Sequence, residues 1–101
     1  MSKHTPGPWH TDPEVGHQAV IGPSGFMVAD CAIFSMRKGA PTDEQCEANA
    51  RLIAAAPDLL FSLAWLLDIE GRTDRETVTE ERPLALAAAR KAIAAIKGGA
   101  Q

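Results

Sequence analysis

Short apolar runs bounded by Gly, Pro and Ser mark the first third of the chain, and apolar positions recur at helical spacing in the rest. "HQAVIG" at 17–22 and "FMVADCAIF" at 26–34 flank the turn signal "PSG", and together they predict a hairpin. "PWHTD" ahead of them predicts a further short strand, with Trp9 as its one large anchor. In the second hairpin run, Phe26, Val28, Ala32 and Phe34 fall on one face, and Met27, Ala29, Cys31 and Ile33 on the other. Asp30 is the sole charge there. A strand apolar on both faces is covered on both. The chain's own helices would supply one cover, and a second subunit could supply the other.

"SMRKGAPTD" at 35–43 reads as a loop ending in a helix start. Thr42 or Asp43 can cap free backbone N–H groups, and Asp43, Glu44 and Glu47 suit the positive end of the helix dipole. Winding 44–68 from Ala48 gathers Ala48, Leu52, Ala55, Ala56 and the leucines 59, 60, 63, 66 and 67 on an arc of roughly 140°, the expected core face. Asn49 falls inside this arc and is expected to be buried, where its carboxamide needs partners. It would either clamp a backbone group of the hairpin or of the 35–43 loop, or point into a ligand pocket. Arg51 falls outside, one turn after Glu47, as an i,i+4 pair. Pro57 removes the backbone bond to Ile53, so a kink or break is expected at "AAP", with Pro57-Asp58 opening a second, rephased segment.

In that second segment Phe61 and Trp65 lie four apart, away from the Leu59/Leu63/Leu66 stripe. A segment apolar all round is buried all round. Phe61 and Trp65 are therefore candidate contacts of a homo-oligomer, unless the last helix wraps over them. Residues 69–79 are hydrophilic and read as a mobile linker. The last helix is expected over 80–97, with Leu86, Ala89, Ile93 and Ile96 in one stripe and Gly98-Gly99 as its stop. The pattern gives a single α+β domain over 1–101. An extended segment (1–8) precedes a β region (9–34) with a small antiparallel sheet of two or three strands. The sheet packs with two or three C-terminal helices, the first (43–68) kinked or broken at Pro57.

Composition narrows the function classes. The 101 residues hold 46% hydrophobic and 23% charged residues, ordinary for one globular domain. A net charge of −3 speaks against nucleic acid as the main partner. No apolar run is long enough to span a membrane, and "MSKHTPGPWH" lacks a secretory hydrophobic segment, so a cytoplasmic setting is expected. Cys31 and Cys46 read as reduced thiols, although a disulfide remains open. His4, His10 and His17 match no compact ligand spacing, so no metal and no cofactor are expected. There is no Ser/His/Asp or Cys/His arrangement and no Gly-rich phosphate loop, "GPSG" being a turn, so an enzyme is not expected.

"HTPGPW" at 4–9, a short β region, and "ANARLIAAAPDLL" at 48–60 together resemble a group of small bacteriophage and prophage proteins that share this order and spacing. That resemblance implies a bacterial host cell as the setting. A weaker similarity is to phage anti-defence proteins that sequester cyclic nucleotide signals of the bacterial Thoeris system. It implies an oligomer holding its ligand between protomers. Such a site needs an aromatic face, a carboxamide and arginines. Here Phe34, Asn49, Arg51 and Arg37 are the candidates, of which only Asn49 and Arg51 lie in the shared motif. The chain departs from that pattern in lacking a dense basic cluster, which disfavours a highly anionic ligand.

Two functions lead: a non-enzymatic inhibitor binding a small nucleotide-like ligand, and an inhibitor gripping a host protein such as a CRISPR effector. The mixed charge of "DIEGRTDRETVTEER" suits the second. A virion structural component is the remaining option.

Overall fold

The computed structural model describes residues 3–98. Three strands, β1 (His10–Asp12), β2 (Gly16–Ile21) and β3 (Met27–Asp30), form an antiparallel sheet in that order. The hairpin between β2 and β3 closes where Gly22 donates its N–H to the Phe26 carbonyl at 3.0 Å and Gly25 donates to the Gly22 carbonyl at 3.0 Å. Gly25 has φ 87°, a conformation that a side chain would oppose. β3 is shorter than the apolar run 26–34. The Asp30 carboxylate accepts the Ala32 N–H at 3.0 Å, an Asx turn that draws the chain off the sheet. Phe34, expected on the strand, therefore sits in the following loop and is 94% exposed.

Thr42 caps helix α1 (Asp43–Ala54): its hydroxyl accepts the Gln45 N–H while the Gln45 side chain accepts the Thr42 N–H, a complete capping box. α1 stops at Ala54, and α2 (Ala56–Glu70) starts with Pro57 in its first turn, the two axes bent by 44°. The break expected at the proline is present. It also moves the core face. The leucines 59 to 67 that dominate the expected arc belong to α2, beyond the bend, and Leu52, the arc's one leucine on α1, is 50% exposed. α1 itself buries Cys46 and Ala50 and turns Ile53 and Ala54 toward Val20 of β2. Small residues let strand and helix approach closely, and Val20 and Ala50 are both 0% exposed. Asn49 consequently lies on the outer side of α1, exposed rather than buried.

The hydrophilic stretch 69–79 is mostly structured. Ile69 is buried at the end of α2, and only 71–74 lie between helices. Asp74 accepts both the N–H and the hydroxyl of Thr77. Those bonds hold the Asp74 carboxyl below the usual carboxylate range. A π-helical turn, Thr77–Glu81, then leads into α3 (Arg82–Gly98). Its Glu81, expected in the first turn of the last helix, accepts the Trp65 indole N–H at 3.2 Å and ties the two arms of a helical hairpin together. α3 returns along α2 and buries Ala85 and Ala92, with Leu86, Ala89 and Ile96 half-buried. Ile93, expected in the same stripe, is at its margin, 44% exposed. Of the Gly98-Gly99 stop, Gly99 lies outside the described residues, as do residues 1–2 of the segment 1–8. Among the described residues no single helix is long and apolar enough to cross a membrane.

The N-terminal segment folds back as a hook. The indole N–H of Trp9 donates to the carbonyls of Thr5 (3.1 Å) and Pro6 (3.2 Å), and the His4 ring stands edge-on to it at 6.1 Å. The Thr5 methyl lies where a Cβ on Gly22 would come within 3.3 Å. A Cβ on Gly7 would come within 2.7 Å of the Pro57 Cβ. The segments "HTPGPW" and "AAAP" thus meet in space, at the joint between α1 and α2. Gly7→Ala is expected to cost about 2 kcal/mol in urea unfolding, because the obstructing atom belongs to a rigid ring. A cost below about 0.5 kcal/mol would show that the hook can lift off the joint freely.

Candidate functional site

Sheet, α1 and the α2/α3 hairpin enclose a groove of about 850 Å³. Trp9, His10 and His17 line it from the sheet; Glu47, Arg51 and Ala54 from α1; Asp58, Phe61 and Ser62 from α2; and Ala88, Lys91 and Ala95 from α3. Its size falls in the range of small-molecule sites. The bend at Pro57 opens it, since α2 diverges there from the line of α1. The small side chains of α3 keep it open, because Ala88, Ala92 and Ala95 stand where larger residues would fill it.

Of the four expected ligand contacts, only Arg51 is in the groove. It is half-buried and forms no ion pair with Glu47. Its Nε instead points at the Ile96 carbonyl, 3.5 Å away, in the last turn of α3. That helix end carries partial negative charge, which favours a guanidinium over the fully solvated i,i+4 pair. Asn49 lies on the outer face of α1, and Arg37 on the exposed loop with Phe34, where its N–H donates to the Ser35 hydroxyl. The structure does not bring these three to Arg51's groove.

Phe61 and Trp65 do stand together, ring centroids 5.8 Å apart and tilted by 55°. Phe61 is 64% exposed and forms a wall of the groove, whereas Trp65 is half-buried and tied to Glu81 within the same chain. Lys91, Asp58 and the two histidines are not singled out by spacing. Each reaches the groove through tertiary packing. The alanine run 87–89 with 92 and 95 is the available signal, since close-packed small residues and a cleft share one pattern.

Charges in the groove are balanced. Arg51 and Lys91 face Glu47 and Asp58, with two imidazoles at the sheet side. Two aromatic side chains, Trp9 and Phe61, also line the groove. This arrangement can take a flat ring against an aromatic side chain and an anionic group at the cations. It offers no array of acids for a hard cation: among the described residues no group of three or more His, Cys, Asp and Glu could hold a metal ion. Cys31 and Cys46 are both free and buried away from the groove lining. Burial, then the charges of Asp30 and Cys46, push the Cys31 thiol up, so it stays protonated at neutral pH.

Comparison with known proteins places this chain among phage proteins. No curated protein and no solved structure matches the chain. The model of the family described as Salmonella phage P22 protein Y8K6 matches residues 1–100, and the chain belongs to that family.

Proposed function

We propose that this phage protein acts by binding rather than catalysis, as an accessory factor that sequesters a small nucleotide-like molecule and thereby blunts a host defence signal. The observation that carries the reading is one groove holding two aromatic side chains, Trp9 and Phe61, and two cations, Arg51 and Lys91. A base would lie against an aromatic ring and a phosphate near Lys91. Glu47 and Asp58 limit how much negative charge the groove accepts, favouring a ligand with few phosphates over a polyanion. ADP-ribose is a suitable probe, and titration calorimetry the measurement. Lys91→Glu is expected to weaken binding at least ~30-fold, because a charge-assisted contact becomes a repulsion. Lys91 is exposed, so its replacement leaves the fold intact. No heat with millimolar ADP-ribose, or binding indifferent to both Lys91→Glu and Phe61→Ala, would overturn the reading.

A second reading, direct inhibition of a host protein, is favoured by the loop after β3. Phe34 and Met36 there are 94% and 102% exposed, next to Arg37 and Lys38. Fully exposed apolar side chains on a loop suit the centre of a protein contact. If Phe34→Ser with Met36→Ser abolishes protection of the phage while Lys91→Glu does not, this second reading replaces the first.

A further inference from the structure

The flank of the helical hairpin turned away from the groove is apolar. Wound at 100° per residue from the buried Ser62, Phe61 falls on one side of α2, and Leu60, Leu63 and Leu67 fall on the other. Those three leucines are 54%, 57% and 66% exposed. On α3, Ala88, Lys91 and Ala95 take the groove side, and Leu86 and Ile93 take the opposite one. One face therefore carries leucines from α2 beside Leu86 and Ile93 from α3, in water.

We propose that a second copy of this chain covers this face, making a four-helix core in which α2 of one protomer lies against α3 of its partner. Area supports a protein-sized cover. A folded monomer of 10.7 kDa exposes about 5,500 Å². This chain exposes 7664 Å², an excess of roughly 2,000 Å². Obligate homodimers bury about that much per protomer, at the upper end of ~1,000–2,500 Å². The shape agrees: the radius of gyration is 16.5 Å, where a compact domain of this length has about 13 Å.

Charge selects the partner. On this face α2 carries Glu70 and no basic residue, Asp58 and Asp68 winding to the Phe61 side. On the same face α3 carries Arg82, Arg90 and Lys97 and no acidic residue, Lys91 being on the groove side. A twofold axis that sets each α2 on the other α3 places acid opposite base twice, as a self-complementary interface requires. A parallel overlay of like helices would set acid on acid. The groove, on the opposite flank, stays open in this dimer, so the assembly stands whether or not the groove binds a nucleotide.

Light scattering coupled to gel filtration tests the dimer at about 50 μM protein, where a dimer with a dissociation constant of about 1 μM or tighter is mostly assembled. The expected mass is twice 10.7 kDa, falling to 10.7 kDa for Leu63→Glu with Leu67→Glu. Phe26→Glu, on the hairpin, should leave the dimer unchanged. Should the double variant unfold, the wild-type melting temperature decides, because stability shared across a dimer rises with protein concentration. A monomeric wild type, a dimer that survives both leucine substitutions, or a melting temperature independent of concentration overturns the proposal.

Discussion

Val20→Asp is expected to leave no cooperative unfolding transition at neutral pH. Val20 is the centre of β2, the middle strand, and is 0% exposed. It packs with Cys31 and Ala50, and Trp9, Val28, Ala29, Ile53 and Ala54 close around them. A carboxylate there has no cation to pair with and no water, which costs more than about 4 kcal/mol. Domains of this size are stable by only ~5–15 kcal/mol. This one belongs near the lower end. Its ten buried hydrophobic residues among those described include five alanines and two cysteines, which bury little area each. Val20→Ala serves as the graded control and should cost about 2 kcal/mol with the transition intact. A urea melt of the aspartate variant that keeps its midpoint would mean that β2 does not form the centre of the core.

Features set by adjacent residues are legible in the amino-acid order alone. The hairpin at "PSG", the cap at Thr42 and the break at Pro57 each depend on a few neighbours and on steric rules that tertiary packing cannot reverse. Features set by phase across the break are not legible. One helical wheel over 44–68 is dominated by the α2 leucines, so it turns α1 by the wrong angle and places Asn49 inside. The end of β3 at Asp30 is hidden because apolar residues continue to Phe34, and only the side-chain bond from Asp30 stops the strand. The stretch 69–79 reads as linker because its polarity resembles that of solvated chain. In the structure Asp74 and Thr77 spend that polarity on one another, and Thr77 also reaches Glu81, the partner of Trp65 just ahead of α3. The groove is least legible of all. Arg51 can be singled out on its own, but Lys91 lies forty residues further along and meets it only because α3 folds back along α2.

Trp9→Ala is expected to cost about 3 kcal/mol and to lower the melting temperature by roughly 12–20 °C. The indole packs against the Val20/Cys31/Ala50 cluster and also ends the N-terminal hook through its bonds to Thr5 and Pro6. Loss of the ring frees the hook, and with it the contact of Gly7 at the Pro57 joint, so the cost exceeds that of the vacated space. Trp9→Phe separates the contributions: it keeps most of the apolar bulk, removes both hydrogen bonds and should cost about 1–2 kcal/mol. An unchanged melting temperature for the alanine variant would deny Trp9 any anchoring role. The phenylalanine variant also bears on the groove, which Trp9 lines. A phenyl ring still offers a face for stacking, so binding of the nucleotide probe should survive Trp9→Phe within a few-fold and fall with Trp9→Ala. If binding instead tracks stability across the two variants, Trp9 serves the site only by holding the sheet, α1 and the hook together. The recognition surface would then narrow to Phe61, Arg51 and Lys91.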